Sequence, residues 1–198
     1  LFSDHWTELL RVDRILRYIG RPAFPIFCFL LVEGFLHTRD VKKYAMRLGI
    51  FALISEIPFD LAVRGKIFDW QYQNVYVTLL LGLLTIWVLK TQRDVWYVRL
   101  MVTAIGCALG ELVHCDYGAF GVVLIVALYV MRESRFQQCI TGAICSFWEL
   151  TAPLAFILVW FYNGERGRQP KWFFYWFYPV HLLIYGMIGR WILPGIFL

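Results

Sequence analysis

The chain has 198 residues, of which 60% are hydrophobic, and its mean hydropathy is +0.61. Soluble domains contain about 45–50% apolar residues, so this excess indicates a protein whose solvent is lipid. The net charge of +5 is ordinary for a membrane protein with basic loops and does not indicate a nucleic-acid partner.

The first residues predict an interfacial segment. The chain begins Leu-Phe-Ser-Asp-His rather than with Met, so we expect part of a first helix to precede it. Residues 6–21 then alternate apolar side chains with Arg11, Arg14 and Arg17, which is typical of an amphipathic helix at a membrane surface. Residues 1–21 are therefore predicted to hold the end of the first helix and this interfacial segment.

A series of apolar segments follows, several of roughly the 20 residues that a helix needs to cross a membrane. The predicted spans are 22–37, 44–63, 75–90, 96–114, 117–132, 138–162 and 171–190. Together they predict an all-α polytopic integral membrane helix bundle, with about 7–9 transmembrane helices in a single domain over residues 1–198. With the amphipathic segment left out, the basic residues favour a cytoplasmic location for the 37–47 loop.

Two carboxylates lie inside one of these apolar segments. Glu56 and Asp60 are four residues apart and therefore share a helix face. Ionised carboxylates are expensive in hydrocarbon, and two that lie close together rarely both ionise. The pair is therefore a candidate for proton handling or for orienting a catalytic group. A structural pair that hydrogen-bonds neighbouring helices is an equally good interpretation.

Three further pairs combine a histidine with a carboxylate or a phenol. They are Glu33 with His37, Glu111 with His114 (followed by Asp116 and Tyr117), and Tyr178 with His181. A histidine oriented by such a partner can act as a general base. Simple solvation at the membrane interface is the alternative for His37 and His114, whereas His181 lies deeper in an apolar context.

Basic residues cluster beside one span. Arg39, Lys42, Lys43 and Arg47 can recognise the phosphates of a nucleotide-bearing cofactor. From the sequence alone, a topology signal or contact with lipid headgroups is the stronger interpretation.

Other motif classes are absent from the sequence. The five cysteines are scattered through apolar segments without metal-ligand spacing, and no metal is expected. No phosphate-binding Walker loop, dinucleotide fingerprint, Gly-x-Ser-x-Gly or His-Glu-x-x-His motif occurs. These absences argue against an ATP-driven pump, a dehydrogenase, a serine hydrolase and a zinc protease.

Five segments in chain order resemble the TraX family. They are 21–39, Leu53-Ile-Ser-Glu-Ile-Pro-Phe-Asp60, 74–82, Asp116-Tyr-Gly-Ala-Phe-Gly121 and Phe177-Tyr-Pro-Val-His-Leu182. The family is named for the protein that N-acetylates conjugative F-pilin, and it resembles the wider group of transmembrane acyltransferases. The resemblance implies transfer of an acetyl (acyl) group from acetyl-CoA in the bacterial cytoplasmic membrane. The acceptor would be an amine or hydroxyl of a peptide, glycan or lipid, and the oligomeric state stays open.

The resemblance also implies an Asp-His pair near the end of the first helix, which here is Asp4-His5. In the implied mechanism His5, oriented by Asp4, deprotonates the acceptor or briefly carries the acyl group, and His181 and Asp116 also belong to the catalytic set. The residues expected near the acyl-CoA phosphates are Arg21, Arg39, Lys42, Lys43 and Arg47. The expected chamber residues are Glu33, Glu56, Asp60, Asn74, Thr78, Tyr117 and Tyr178.

Two other functions fit the same residues. A proton-coupled transporter would use the intramembrane carboxylates and histidines as a relay, although no internal repeat is visible. A non-catalytic membrane subunit that assists pilus or envelope assembly would be indifferent to His5 and His181.

Overall fold

The structure is a computed structural model, and it describes residues 14–92, 95–165 and 171–188. Its regular elements there are eight α-helices and one short 3-10 turn, and helical residues 14–20 lead into the first helix. The helices are α1 (Ala23–His37), α2 (Val41–Val63), α3 (Val75–Thr91), α4 (Trp96–Leu112), α5 (Gly118–Val130), α6 (Arg135–Cys145), α7 (Ala155–Trp160) and α8 (Lys171–Met187).

The helices form an up-and-down bundle with two distinct ends. The loops 64–74 and 113–117 lie together at one end, here called the loop end. The opposite end, here called the basic end, holds residues 37–43, the C-terminal ends of α3 and α5, and the start of α6. Helix α8 runs parallel to α2. This orientation follows from two contacts: Tyr175 stacks on Phe51 near the middle of α2, and Gly186 lies against Leu61 near its C-terminal end.

Three of the helices begin at a residue whose side chain acts as an N-cap. Asp40 accepts a hydrogen bond from the backbone N–H of Lys43 at 3.0 Å and thereby caps α2. Asn74 caps α3 and Ser134 caps α6 in the same way. Each side-chain oxygen satisfies a backbone donor that has no partner inside the helix, which fixes where the helix begins.

The helices approach closely where they carry glycine. A side chain at Gly82 of α3 would run into Ile125 of α5, and one at Gly106 of α4 would run into Thr85 of α3. Small residues at such crossings bring helix backbones together, as they do in membrane bundles. They position α3, which carries much of the candidate site, against α4 and α5.

The all-α class is confirmed, and one predicted span is wrong. Segment 138–162 is not a single helix, because α6 ends at Cys145 and α7 returns antiparallel to it. The turns between them include the 3-10 turn Ala152–Leu154, where Pro153 cannot donate a backbone hydrogen bond. Gly142 of α6 packs against Phe156 of α7 and brings the two short helices together.

Membrane-spanning character is uneven among the described helices. By length and composition, one helix there is long and apolar enough to cross a membrane: Arg14–His37, with a hydropathy of 1.6 over its best window. Val75–Thr91 and Gly118–Val130 are shorter apolar helices. The outer faces are nevertheless apolar. On α2, Leu53 and Ile57 are exposed, whereas Glu56 and Asp60 of the same helix are buried.

Candidate functional site

Buried polar side chains collect near the loop end, on the facing surfaces of α2 and α3. Each is less than a tenth exposed. They are Ser55, Glu56, Asp60, Asn74 and Thr78. Burying a polar group costs free energy unless a hydrogen bond compensates, so their partners decide what this cluster can do.

Asn74 joins α2 to α3. Its side-chain N–H donates to the backbone oxygen of Ala52 at 2.8 Å and to Oε2 of Glu56, while its side-chain oxygen accepts from the N–H of Tyr76 at 3.0 Å. The Asn74 side chain therefore uses both its N–H donors and its oxygen acceptor. These bonds fix the amide, and the amide in turn holds the Glu56 carboxylate in one orientation.

Asp60 anchors the loop that follows α2. Its Oδ2 accepts a hydrogen bond from the backbone N–H of Asp69 at 2.7 Å. Asp69 in turn accepts from the N–H of Gln71 at 3.1 Å, and this bond lowers the pKa of the Asp69 carboxyl. The carboxylate of Asp60 thus shapes the loop 64–74 over the end of the bundle.

The second loop is tied to the first by backbone and side-chain bonds. Gln73 donates to the oxygen of His114 at 3.0 Å, and Asp116 donates to the oxygen of Gln73 at 2.9 Å. The Tyr72 hydroxyl lies 2.9 Å from both the backbone oxygen and Oδ1 of Asp116. Burial raises the pKa of Asp116, and hydrogen bonding from Tyr72 partly offsets that effect.

Unused hydrogen-bonding capacity remains in the cluster. Glu56 Oε1, Asp60 Oδ1 and Ser55 Oγ are buried, and none has a hydrogen-bond partner in the part of the chain that the structure describes. Buried polar atoms are nearly always paired, so these three can receive a proton or a polar group of a substrate.

Aromatic residues flank this region. Tyr117 stacks on Phe24 at 3.4 Å between ring centroids, and its N–H lies 3.4 Å from Thr78 Oγ1. Tyr178 packs edge-on against Tyr76 of α3, at 5.2 Å between centroids. Tyr117, Thr78 and Tyr178, three predicted chamber residues, therefore lie at the same end of the bundle as Asp116.

His181 lies beside this group. Its ring is 5.5 Å from that of Tyr178, and its Nδ1 lies 2.9 Å from the backbone oxygen of Phe177. The imidazole is exposed. Asp4 and His5, the other predicted catalytic pair, lie outside the described residues.

Glu33, also predicted for the chamber, lies at the basic end instead. Its carboxylate oxygens are 4.0 Å from Nδ1 of His37 and 3.8 Å from Nη1 of Arg135. Glu33 is near the C-terminal end of α1, whereas α1 begins at the loop end. The length of the helix therefore separates Glu33 from Asp116.

The side chains of Glu111 and His114 have separate partners, although the backbone N–H of His114 donates to the backbone oxygen of Glu111 at 3.0 Å. Glu111 accepts from the N–H of Ala119 at 2.8 Å, which satisfies a donor in the first turn of α5. The His114 Nδ1 lies 3.1 Å from the backbone oxygen of Leu112, and its φ of 54° is a conformation uncommon for residues other than glycine. His114 thus serves the turn between α4 and α5.

The five basic residues predicted for cofactor binding occupy three places. Arg39, Lys42 and Lys43 are exposed at the basic end. Arg47 lies one turn further along α2, where its guanidinium faces the ring of Tyr44 at 5.8 Å. Arg21 lies at the loop end, with its Nε 3.0 Å from Glu149 Oε2.

The basic end contains a cavity that the sequence analysis missed. Its volume is about 670 Å³, and its basic lining residues are Lys90, Arg99 and Arg132. Each of them comes from a different helix end or loop, so no compact cluster marks them in the sequence. The described residues contain no group of three or more His, Cys, Asp or Glu side chains that could hold a metal ion.

Comparison with known proteins gives one family and one curated relative. The profile of the TraX family, described as "TraX protein", matches residues 1–189. A protein of Dichelobacter nodosus named "Probable fimbrial assembly protein FimC, serogroup H1" is 30% identical over 216 residues, covering 91% of this chain and 87% of the relative. No solved structure matches.

Proposed function

The chain belongs to the TraX family, and from this premise we propose that it is a membrane-embedded acyltransferase. It moves an acetyl (acyl) group from acetyl-CoA to an amine or hydroxyl of a peptide, glycan or lipid. The family is linked to pilin acetylation, and the Dichelobacter relative is named for fimbrial assembly. A pilus or fimbrial subunit is therefore the favoured acceptor.

The apolar exterior supports a membrane location. Exposed Leu53, Ile105, Leu109 and Leu158 belong to three different helices, while the buried faces carry carboxylates and amides. Lipid favours this arrangement, because apolar side chains can face hydrocarbon and polar groups must pair inside. The bundle accordingly spans the bacterial cytoplasmic membrane.

Basic residues support one orientation. Arg39, Lys42, Lys43, Lys90 and Arg132 all belong to the basic end. Lysine and arginine accumulate on the cytoplasmic side of membrane proteins. The basic end therefore faces the cytoplasm, from which acyl-CoA is supplied, and the loop end faces the opposite side.

The unpaired oxygens of Glu56 and Asp60 carry the proposal. Glu56 bonds Asn74, and Asp60 lies one turn further along the same face of α2, so a polar acceptor here gains hydrogen bonds that the protein leaves open. The acceptor nitrogen or oxygen attacks the thioester carbonyl, His5 removes its proton, and the CoA sulfur leaves as a thiol after receiving a proton. Asp4 orients His5, while Asp116 and His181 complete the catalytic set.

The test is acetyl transfer by the full chain purified in detergent. Protein is incubated with radiolabelled acetyl-CoA and a fimbrial-subunit peptide, for wild type, His5→Ala and His114→Ala. Wild type and His114→Ala should label the peptide, because His114 is exposed in a turn, whereas His5→Ala should not. Full transfer by His5→Ala would remove His5 from the mechanism, and a folded wild type that neither binds nor consumes acetyl-CoA would refute acyl transfer.

A proton-coupled transporter is the second candidate, favoured by the same unpaired carboxylate oxygens inside α2. Carboxylates buried in a membrane bundle serve proton relays as well as acyl transfer. Reconstituted protein would then move a solute across liposomes in response to a pH gradient, with no thioester consumed. Consumption of acetyl-CoA without such transport excludes this candidate.

A further inference from the structure

The cavity at the basic end has the size and lining of a ligand site. Its volume of about 670 Å³ lies within the range of about 300–1,000 Å³ that is usual for small-molecule pockets. Its apolar and aromatic wall comes from α1, α3 and α5, and three of its lining residues are basic. The lining residues are Leu36, Leu89, Lys90, Gln92, Arg99, Tyr129, Val130, Arg132 and Glu133.

Two aromatic rings hold two of the cations in place. Phe35 and Tyr129 pack edge-to-face, with 5.7 Å between their centroids. The Lys90 ammonium lies 5.0 Å from the centre of the Phe35 ring, and the Arg132 guanidinium carbon lies 4.5 Å from that of Tyr129. Cation–π attraction therefore positions both charges at one cavity.

Among the described lining residues, Lys90, Arg99 and Arg132 are basic and Glu133 is acidic. Glu133 lies 3.3 Å from Arg132, and its side chain is 82% exposed. An exposed ion pair of this kind contributes little and does not neutralise the site. Positive charges held together in a concave site raise the local concentration of anions.

We propose that this cavity is a phosphate-binding site that takes the nucleotide phosphates of acyl-CoA. The inference rests on the proposed function and moves the phosphate site from Arg39 and Lys42 to Lys90 and Arg132. Arginine and lysine bind phosphate through charge-assisted hydrogen bonds, and the apolar wall of Leu36 and Leu89 suits the rest of an organic phosphate. An anionic lipid headgroup offers the same chemistry from a second source.

The experiment measures binding of 3′,5′-ADP, the nucleotide end of CoA, to the full chain in nanodiscs of phosphatidylcholine. Wild type should bind. Lys90→Gln combined with Arg132→Gln should lose at least about tenfold in affinity, because both side chains lose their charge-assisted hydrogen bonds to phosphate. The matched control, Arg39→Gln with Lys42→Gln, removes two exposed charges at the same end and should stay within about twofold.

Equal affinity of wild type and the Lys90/Arg132 variant would overturn the proposal, as would loss of binding in the control alone. Lys90→Arg keeps the charge and should keep binding, which guards against a double variant that fails to fold. Soluble short-chain phosphatidylglycerol is the competing probe. If it binds through Lys90 and Arg132 while 3′,5′-ADP does not bind, a lipid is the occupant and the nucleotide assignment is overturned.

The outcomes separate this site from the reaction. Acetyl transfer with an unchanged KM for acetyl-CoA in the Lys90/Arg132 variant would overturn the phosphate site and leave the acyltransferase intact. Binding of 3′,5′-ADP that depends on Lys90 and Arg132, in a wild type without transfer activity, would support the site and refute the reaction.

Discussion

The side-chain amide of Asn74, which caps α3, donates to the carboxylate of Glu56 on α2. The same nitrogen donates to the backbone oxygen of Ala52 at 2.8 Å, and the amide oxygen accepts from Tyr76. A residue that starts one helix therefore also orients an acidic group buried in another. The Asn74 amide therefore contributes both to the stability of α3 and to the orientation of Glu56, and variants of Asn74 can separate these two roles.

Asn74→Ser should separate the helix cap from the contact with Glu56. Serine is a good N-cap but is too short to reach the carboxylate, so this variant should keep the stability due to the cap, lose about 1–3 kcal/mol because the carboxylate is left unpaired, and transfer acetyl groups at least about tenfold more slowly. Asn74→Ala should lose both, with about 1 kcal/mol less stability from the cap and about 1–3 kcal/mol less from the unpaired carboxylate. Thermal unfolding in detergent and transfer assays check both variants. Full activity in Asn74→Ser would show that the bond to Glu56 has no role in the reaction.

Asp116 should make stability depend on pH. Burial raises its pKa in the folded protein, so the folded state holds this proton more tightly than the unfolded chain does. The free energy of unfolding should therefore fall as pH rises from the ordinary aspartate pKa through the raised value. Asp116→Asn should abolish this part of the decline. The measurement is the unfolding temperature of both proteins from acidic to neutral pH.

Tyr72→Phe gives the matched control for Asp116. The Tyr72 hydroxyl bonds Asp116 and lowers its pKa, so its removal should raise that pKa further. The decline in stability should then extend to higher pH. Identical pH profiles for wild type, Asp116→Asn and Tyr72→Phe would show that Asp116 is not the group responsible.

The helices were largely predictable because long apolar runs leave few alternatives. The predicted span 75–90 corresponds to Val75–Thr91, with the Asn74 cap just before it. The break inside 138–162 was missed because hydropathy does not distinguish one helix from two short antiparallel ones. The signal was present in the turn-forming residues before Pro153 and in Gly142, where the two helices touch.

For the candidate site, the sequence predicted which residue types take part but not which partners they contact. The spacing of Glu56 and Asp60 predicted a shared face, but their partners, Asn74 and the backbone of Asp69, come from the next helix and loop. Such partners depend on tertiary packing, which helical periodicity does not contain. Glu33 was expected in the chamber with the buried carboxylates. It lies near the C-terminal end of the predicted span 22–37, however, and the start of that span is the part that lies at the loop end.

Asp60→Leu should loosen the loop 64–74. The backbone N–H of Asp69 would lose its acceptor at 2.7 Å, and a hydrogen bond to a charged group is worth about 1.5–3 kcal/mol. Hydrogen exchange at the Asp69 amide should therefore accelerate about 10- to 100-fold. Lys66→Ala is the control, because its ammonium lies 3.3 Å from Asp69 but is largely exposed. Equal exchange rates in wild type and Asp60→Leu would show that another contact holds the loop.

Gly82→Val should disturb the bundle where α3 crosses α5. A side chain there would overlap Ile125, and overpacking of a close crossing costs about 1–3 kcal/mol. Gly49→Ala is the matched control, since the nearest atom to its new methyl group is Leu80 Cδ2 at 3.8 Å, an ordinary contact. That variant should be neutral or slightly stabilised, because alanine favours helix more than glycine does. Thermal unfolding in detergent compares the two, and a Gly82→Val protein as stable as wild type would mean that α3 and α5 are further apart than the structure places them.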